Sequence, residues 1–210
     1  MTELSQYLNT FIALFAVSNP IGNLPIYLGL TAAKSVKEQK QTIRTASLAF
    51  VIILLISLVM GQAILAAFGI SIASFRVAGG FLIFLMGFHM LQAKTSQIAH
   101  TKEENEEAQT ASSIAVVPLA IPLLAGPGTI SSVIVFAHNT QSWGEKIGLA
   151  IVILVLAGLI FISYSFAPAI GQLLGKTGMN IVTRIMGLIT MAIAVEFMAD
   201  GLSSLFPGWK

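Results

Sequence analysis

The chain has 210 residues, 56% of them hydrophobic and only 10% charged, with a mean hydropathy of +0.87. Soluble domains carry roughly 25% charged residues, so this composition excludes a soluble protein and indicates an integral membrane protein. The net charge of +2 is spread over short separate segments, so no nucleic-acid partner is expected. The absence of cysteine removes disulfides, thiolate metal sites and a cysteine nucleophile.

Met1–Gln6 carries only an acid ahead of the first apolar stretch, so no cleaved signal peptide is expected. Six apolar stretches then have the roughly 20 residues needed to cross about 30 Å of hydrocarbon. They lie near 8–30, 46–68, 76–93, 114–137, 147–169 and 185–206.

The first span is interrupted by Asn19-Pro-Ile-Gly-Asn-Leu-Pro25. Pro20 and Pro25 each lack an N–H and free a carbonyl in the preceding turn. Gly22 permits unusual backbone angles, and Asn19 and Asn23, four apart, offer amides on one face. Freed carbonyls and amides can hold an ammonium or a cation. A helix restarting after the break points its positive end inward, which suits a carboxylate. The simpler reading is a proline kink patched by neighbouring side chains, although two prolines, a glycine and two asparagines exceed what a kink requires.

The third span begins at Arg76, whose long stem can snorkel to the interface, and His89 near its far end reads as interfacial. Lys94–Ser113 is the longest polar linker and contains Glu103, Glu104, Glu106 and Glu107, a solvated connector. In the fourth span a second break, Ile121-Pro-Leu-Leu-Ala-Gly-Pro-Gly-Thr129, follows Pro118. Ala125, Gly126, Pro127 and Gly128 unwind the backbone, and Thr129, Ser131 and Ser132 open the resumed helix. Tight helix packing explains the two serines well and the Gly-Pro-Gly run poorly.

The last span carries Glu196, twelve residues or about 18 Å beyond Arg184. A carboxylate at that depth costs at least ~2.5–3.5 kcal/mol unless it faces a polar interior, so it is the candidate coupling residue, with a structural hydrogen bond as the competing role. Asp200, one turn on, reads as an interfacial anchor.

Loop charges orient the chain. Segments 32–45, 94–113 and 171–184 hold eight Lys and Arg residues against three on the opposite side, Arg76, Lys146 and Lys210. The first set is therefore expected in the cytoplasm and both termini outside. The halves, 1–93 and 114–210, also echo each other: Pro20/Pro25 and Pro122/Pro127 are offset by 102, and Arg76-Val-Ala-Gly79 matches Arg184-Ile-Met-Gly187. Three spans per half forces the second half to enter from the opposite side. The expected fold class is thus an all-α polytopic membrane protein, six transmembrane helices arranged as two inverted three-helix repeats with broken first and fourth spans.

The first break, Pro118-Leu-Ala-Ile-Pro-Leu-Leu-Ala-Gly-Pro-Gly-Thr-Ile130, Phe68-Gly-Ile-Ser-Ile-Ala-Ser-Phe-Arg-Val-Ala-Gly-Gly80 and Arg184-Ile-Met-Gly-Leu188 together resemble the MarC family of six-span inner-membrane proteins, over nearly the whole chain. The resemblance implies transport of glycine, alanine and similar amino acids, with direction open.

The leading expectation is a secondary transporter of small neutral amino acids. Its midplane site would comprise Asn19, Pro20, Gly22, Asn23, Pro25, Ala125, Gly126, Pro127, Gly128 and Thr129. No P-loop is present, so energy comes from an H⁺ or Na⁺ gradient, coupled through Glu196. No other cofactor and no metal are expected, and a homo-oligomer is left open. A passive channel or exporter of amino acids or another small metabolite is the alternative; an intramembrane enzyme lacks a catalytic constellation.

Overall fold

The computed structural model describes residues 3–31, 34–92, 115–140 and 142–209. The expected linker 94–113 lies outside them. Every regular element among the described residues is helical. In chain order they are α1 (Glu3–Ser18), α2 (Leu24–Thr31), α3 (Val36–Ala67), α4 (Ile72–Leu91), a π-helical segment (Ala115–Leu124), α5 (Pro127–Asn139), α6 (Trp143–Ser165), α7 (Ala167–Leu205) and a terminal 3₁₀ turn (Pro207–Trp209).

Four described helices are each long and apolar enough to cross a bilayer unaided: α3, α4, α6 and the Thr177–Leu205 arm of α7. The expected spans 8–30 and 114–137 are instead each divided at the breaks, into α1 plus α2 and into the π segment plus α5. Two expected loops need correction. Segment 32–45 is largely the first turns of α3, which Ser35 starts through a reciprocal capping box with Glu38. Segment 171–184 belongs to α7, which bends where Gly175 takes φ 61° instead of ending in a loop. Charged residues marked the membrane boundary there, but helices longer than the hydrocarbon core continue past it.

The helix rows pack through small residues. α4 and α7 run antiparallel. A Cβ on Gly87 would lie 2.7 Å from the Gly187 carbonyl, and one on Gly201 would lie 3.0 Å from the Ala73 carbonyl. Helices associate in lipid without a hydrophobic drive between them, and close backbone approach supplies dispersion contacts instead. α3 packs on α6 and on α5, burying Phe50, Leu54 and Leu58 with Ile153, Leu156 and Ile160 in the main core cluster. Large apolar side chains such as Ile52, Ile56, Ile151, Val155, Ile185 and Leu188 face outward, as a lipid-facing surface requires.

At one end of the bundle α1 starts beside the start of α6, where a Cβ on Gly148 would strike the Tyr7 ring. α3 and α5 finish there together, Gln62 contacting His138 at 3.0 Å. Arg76, at the start of α4, meets Asp200, near the end of α7, at 3.5 Å, and its guanidinium lies over the Phe197 ring. At the opposite end α2 meets α6 and α3: the Tyr27 and Tyr164 rings pack edge to face, and the Tyr27 hydroxyl donates to the Gln39 carbonyl.

Candidate functional site

Both breaks leave the helix for physical reasons readable in their residues. Pro20 and Pro25 cannot donate to a helical ladder, and Asn19 takes a left-handed φ of 44°, which asparagine tolerates better than most residues. The Asn19 side chain then closes the turn, its Oδ1 accepting from the Gly22 N–H at 3.1 Å. Gly22 is close-packed: a Cβ there would lie 2.6 Å from the Asn19 amide and 2.7 Å from Met90.

In the second break Pro118 and Pro122 each remove a donor, and the chain widens to i→i+5 bonding, the last such bond running from the Ala125 N–H to the Ala120 carbonyl at 2.8 Å. Gly126 is the N-cap of α5, Pro127 fills its first position, and among the described residues no side chain caps that end. The first N–H groups of a helix have no intrahelical partner. Those of Gly128 and Thr129 therefore form an uncapped positive terminus at buried residues. The side chains do not compete for it: the Thr129, Ser131 and Ser132 hydroxyls donate back to the carbonyls of Leu124, Pro127 and Gly128.

The tertiary structure brings the two breaks together. Asn23, 1% exposed, donates from Nδ2 to the Ser18 carbonyl at 3.2 Å and to the Leu123 carbonyl at 3.5 Å. Asn19, 4% exposed, donates to the Thr190 hydroxyl at 2.9 Å and contacts the Met90 sulfur at 3.6 Å. A cavity of about 10 Å³ lies between them, with Asn19, Asn23, Gly126, Gly128, Thr129 and Thr190 in its wall. That is room for about one water, so the breaks are closed on each other. Ala125 is fully buried in the core beside them, and Pro20 and Gly22 are buried. Pro25 and Pro127 are half-buried at the starts of α2 and α5.

Glu196 is not brought to this cluster. It is exposed on α7, about 120° around the helix from Thr190 at roughly 100° per residue. Conversely, Thr190, Met90 and Ile83 join the cavity wall without having been anticipated. Thr190 carried a faint signal, a polar residue one turn beyond Gly187 on the same helix face.

A second, larger cavity of about 400 Å³ opens at the end where α1 begins, lined by Gln6, Asn9, Thr10, Asn139, Thr140 and Glu145 among others. Ala13 borders this cavity and Val17 borders the central one, so one turn of α1 separates them. Leu14 and Val133, 1% and 2% exposed and members of one apolar cluster, fill that level.

Residues 4–206 match the MarC family, described as integral membrane proteins. The UPF0056 membrane protein of Buchnera aphidicola subsp. Schizaphis graminum is 45% identical over 207 residues, covering 98% of this chain and 96% of the relative. The UPF0056 membrane protein YhcE of Escherichia coli is 41% identical over 206 residues, with the same coverage of 98% and 96%. An archaeal relative, the UPF0056 membrane protein of Archaeoglobus fulgidus, is 36% identical over 200 residues, covering 95% and 93%. No solved structure matches the chain.

Proposed function

The chain belongs to the MarC family of integral membrane proteins, and we propose that it is a secondary transporter of small neutral amino acids, its solute held where the two broken helices meet. The observation that carries this reading is the meeting itself: the amide of Asn23 reaches the Leu123 carbonyl beside the uncapped start of α5. Non-helical backbone at membrane depth persists only where protein buries it or a polar cavity needs it. In transporters, helix termini facing a midplane cavity take the charged groups of the solute. The Gly128 and Thr129 N–H groups take the carboxylate; the amides of Asn19 and Asn23 with the freed carbonyls take the ammonium. Pro20, Gly22, Pro25, Ala125, Gly126 and Pro127 shape the two walls.

In this reading the chain crosses six times, paired short helices making the first and fourth crossings, and its halves are inverted repeats on either side of the linker. The pairing of α4 with α7 and of α3 with α6 supports that arrangement, because each pair joins counterparts from the two halves. The charge imbalance between the ends, eight cations against three, supports both termini lying outside a bacterial inner membrane.

The central cavity has room for about one water, so in this reading the site is closed to solute, and the larger cavity is the outer approach. Opening it requires the Leu14–Val133 level to part. Coupling to H⁺ or Na⁺ runs through Glu196. Since its carboxylate faces away from the cluster, that coupling acts by moving α7, which holds Thr190 against Asn19.

Purified protein in liposomes, given labelled glycine, alanine and serine under imposed H⁺ and Na⁺ gradients, tests the assignment. Accumulation of at least one is expected; failure with all three overturns the amino-acid reading.

A further inference from the structure

α3 is 32 residues long, about 48 Å at 1.5 Å per residue, and overhangs a hydrocarbon core of about 30 Å. The overhang at its N-terminal end carries Lys37, Lys40 and Arg44. These three line a cleft of about 490 Å³ whose lower wall is Leu48 and Phe161, the latter from the final turns of α6. Lys37, Arg44 and Leu48 follow helical spacing on one face. The cleft is therefore cationic at its mouth and apolar below, in the direction of the membrane core. Leu48 and Phe161 are 61% and 39% exposed.

Among the described residues the positive charge is uncompensated, and none of the three cations forms an ion pair. The one acid on this stretch, Glu38, is engaged at the helix start, its carboxylate held by the Ser35 N–H at 2.8 Å and the Ser35 hydroxyl at 2.6 Å. α6 contributes no acid near its Phe161 end, its only one being Glu145 in the first turn.

We propose that this cleft is a binding site for an anionic phospholipid. The phosphate and any second headgroup charge sit among Lys37, Lys40 and Arg44, and an acyl chain descends over Leu48 and Phe161. Basic pockets between membrane helices hold acidic headgroups in this way. A free phosphate or an acidic protein segment satisfies the cations alone and leaves the apolar floor uncovered, so the head-and-tail register selects a lipid.

Native mass spectrometry of the detergent-purified protein, titrated with phosphatidylglycerol, cardiolipin, phosphatidylcholine or inorganic phosphate, tests this. The anionic lipids are expected to be retained at least tenfold more tightly than phosphatidylcholine. The triple variant Lys37→Gln, Lys40→Gln, Arg44→Gln should lose that preference, and Leu48→Ser with Phe161→Ser should weaken lipid but leave phosphate unchanged. Lys146→Gln, at the other end of the bundle, is the control, its ammonium lying over Trp143 at 4.9 Å. Equal retention of phosphatidylcholine, an unchanged triple variant, an equal loss on Lys146→Gln, or full displacement by inorganic phosphate would each overturn the proposal. Thermal melts of every variant separate lost binding from lost folding.

Discussion

Asn23 donates from its side-chain amide to the main-chain carbonyl of Leu123 at 3.5 Å, a contact spanning 100 positions of sequence. It ties the turn after α1 to the end of the π-helical segment, so the two interruptions of regular backbone share one buried volume. Replacing Asn23 by Ala leaves the Ser18 and Leu123 carbonyls without that donor, at a cost of about 1–3 kcal/mol. The melting temperature is expected to fall and liposome uptake to drop about tenfold or more, equivalent to ~1.4 kcal/mol in the rate barrier. A lower melting temperature with full uptake makes Asn23 a structural tie only.

Gly128 sits where any Cβ would collide with the Ile83 side chain. Gly128→Ala is expected to cost about 1–3 kcal/mol by overpacking. Ile83→Ala in the same chain should recover much of it, because the obstacle is a side chain. A thermal double-mutant cycle reads the coupling; simple additivity of the two changes contradicts the contact.

Gly187 offers the contrasting case. Its Cβ would lie 2.8 Å from the Gly87 carbonyl and 3.0 Å from the Leu91 nitrogen, and backbone cannot be trimmed. Gly187→Ala should therefore separate α4 from α7 and lower stability with no single-residue rescue. Gly158→Ala meets nothing within 4 Å, and on a helix alanine is favoured over glycine by about 1 kcal/mol. Its melting temperature should hold or rise. Similar losses for both positions would show that close approach is not what Gly187 provides.

Among the described residues the buried Tyr164 hydroxyl has no hydrogen-bond partner, although its ring packs on Tyr27 at 4.9 Å. An unpaired buried hydroxyl is a desolvation cost with no return. Tyr164→Phe keeps the ring and should leave stability unchanged or raise it by up to about 1–3 kcal/mol. A clear loss in thermal melts would reveal a partner for that hydroxyl.

Glu196→Gln tests coupling at a distance. Uptake with and without an imposed proton gradient is expected to become equal in the variant, with solute equilibration retained. If the variant responds to the gradient as the parent does, Glu196 has no part in coupling, and its position on the outer face of α7 becomes a matter of lipid or subunit contact.

Much of the local structure was legible because proline and glycine act on their own backbone. Pro20, Pro25, Pro118 and Pro122 remove donors wherever they stand, so both interruptions fell where expected. Ser35 and Glu38 carry a local signal of the same kind for the start of α3, but segment 32–45 was expected as a loop because of its charges. Helix rotation was a different matter. In a soluble helix, hydrophobicity marks the inner face; in lipid both faces are apolar. On α7 the outward residues are Ile185, Leu188 and Val195, while the buried ones are Gly187, Thr190 and Ala194. Size and polarity, more than hydrophobicity, separate the two sets. That is why Glu196 was expected toward the interior and lies outside, and why Thr190 and Ile83 went unnoticed.

The sequence by itself determined that this chain is an all-helical membrane protein with two interrupted segments, because composition and missing backbone donors act locally and independently of partners. Only the tertiary structure decided that the interruptions meet, that they are closed to about one water, and that Glu196 stands apart. Those facts depend on which faces pack across 100 or more residues of sequence, and in an apolar solvent that choice is made by close backbone approach and buried amides.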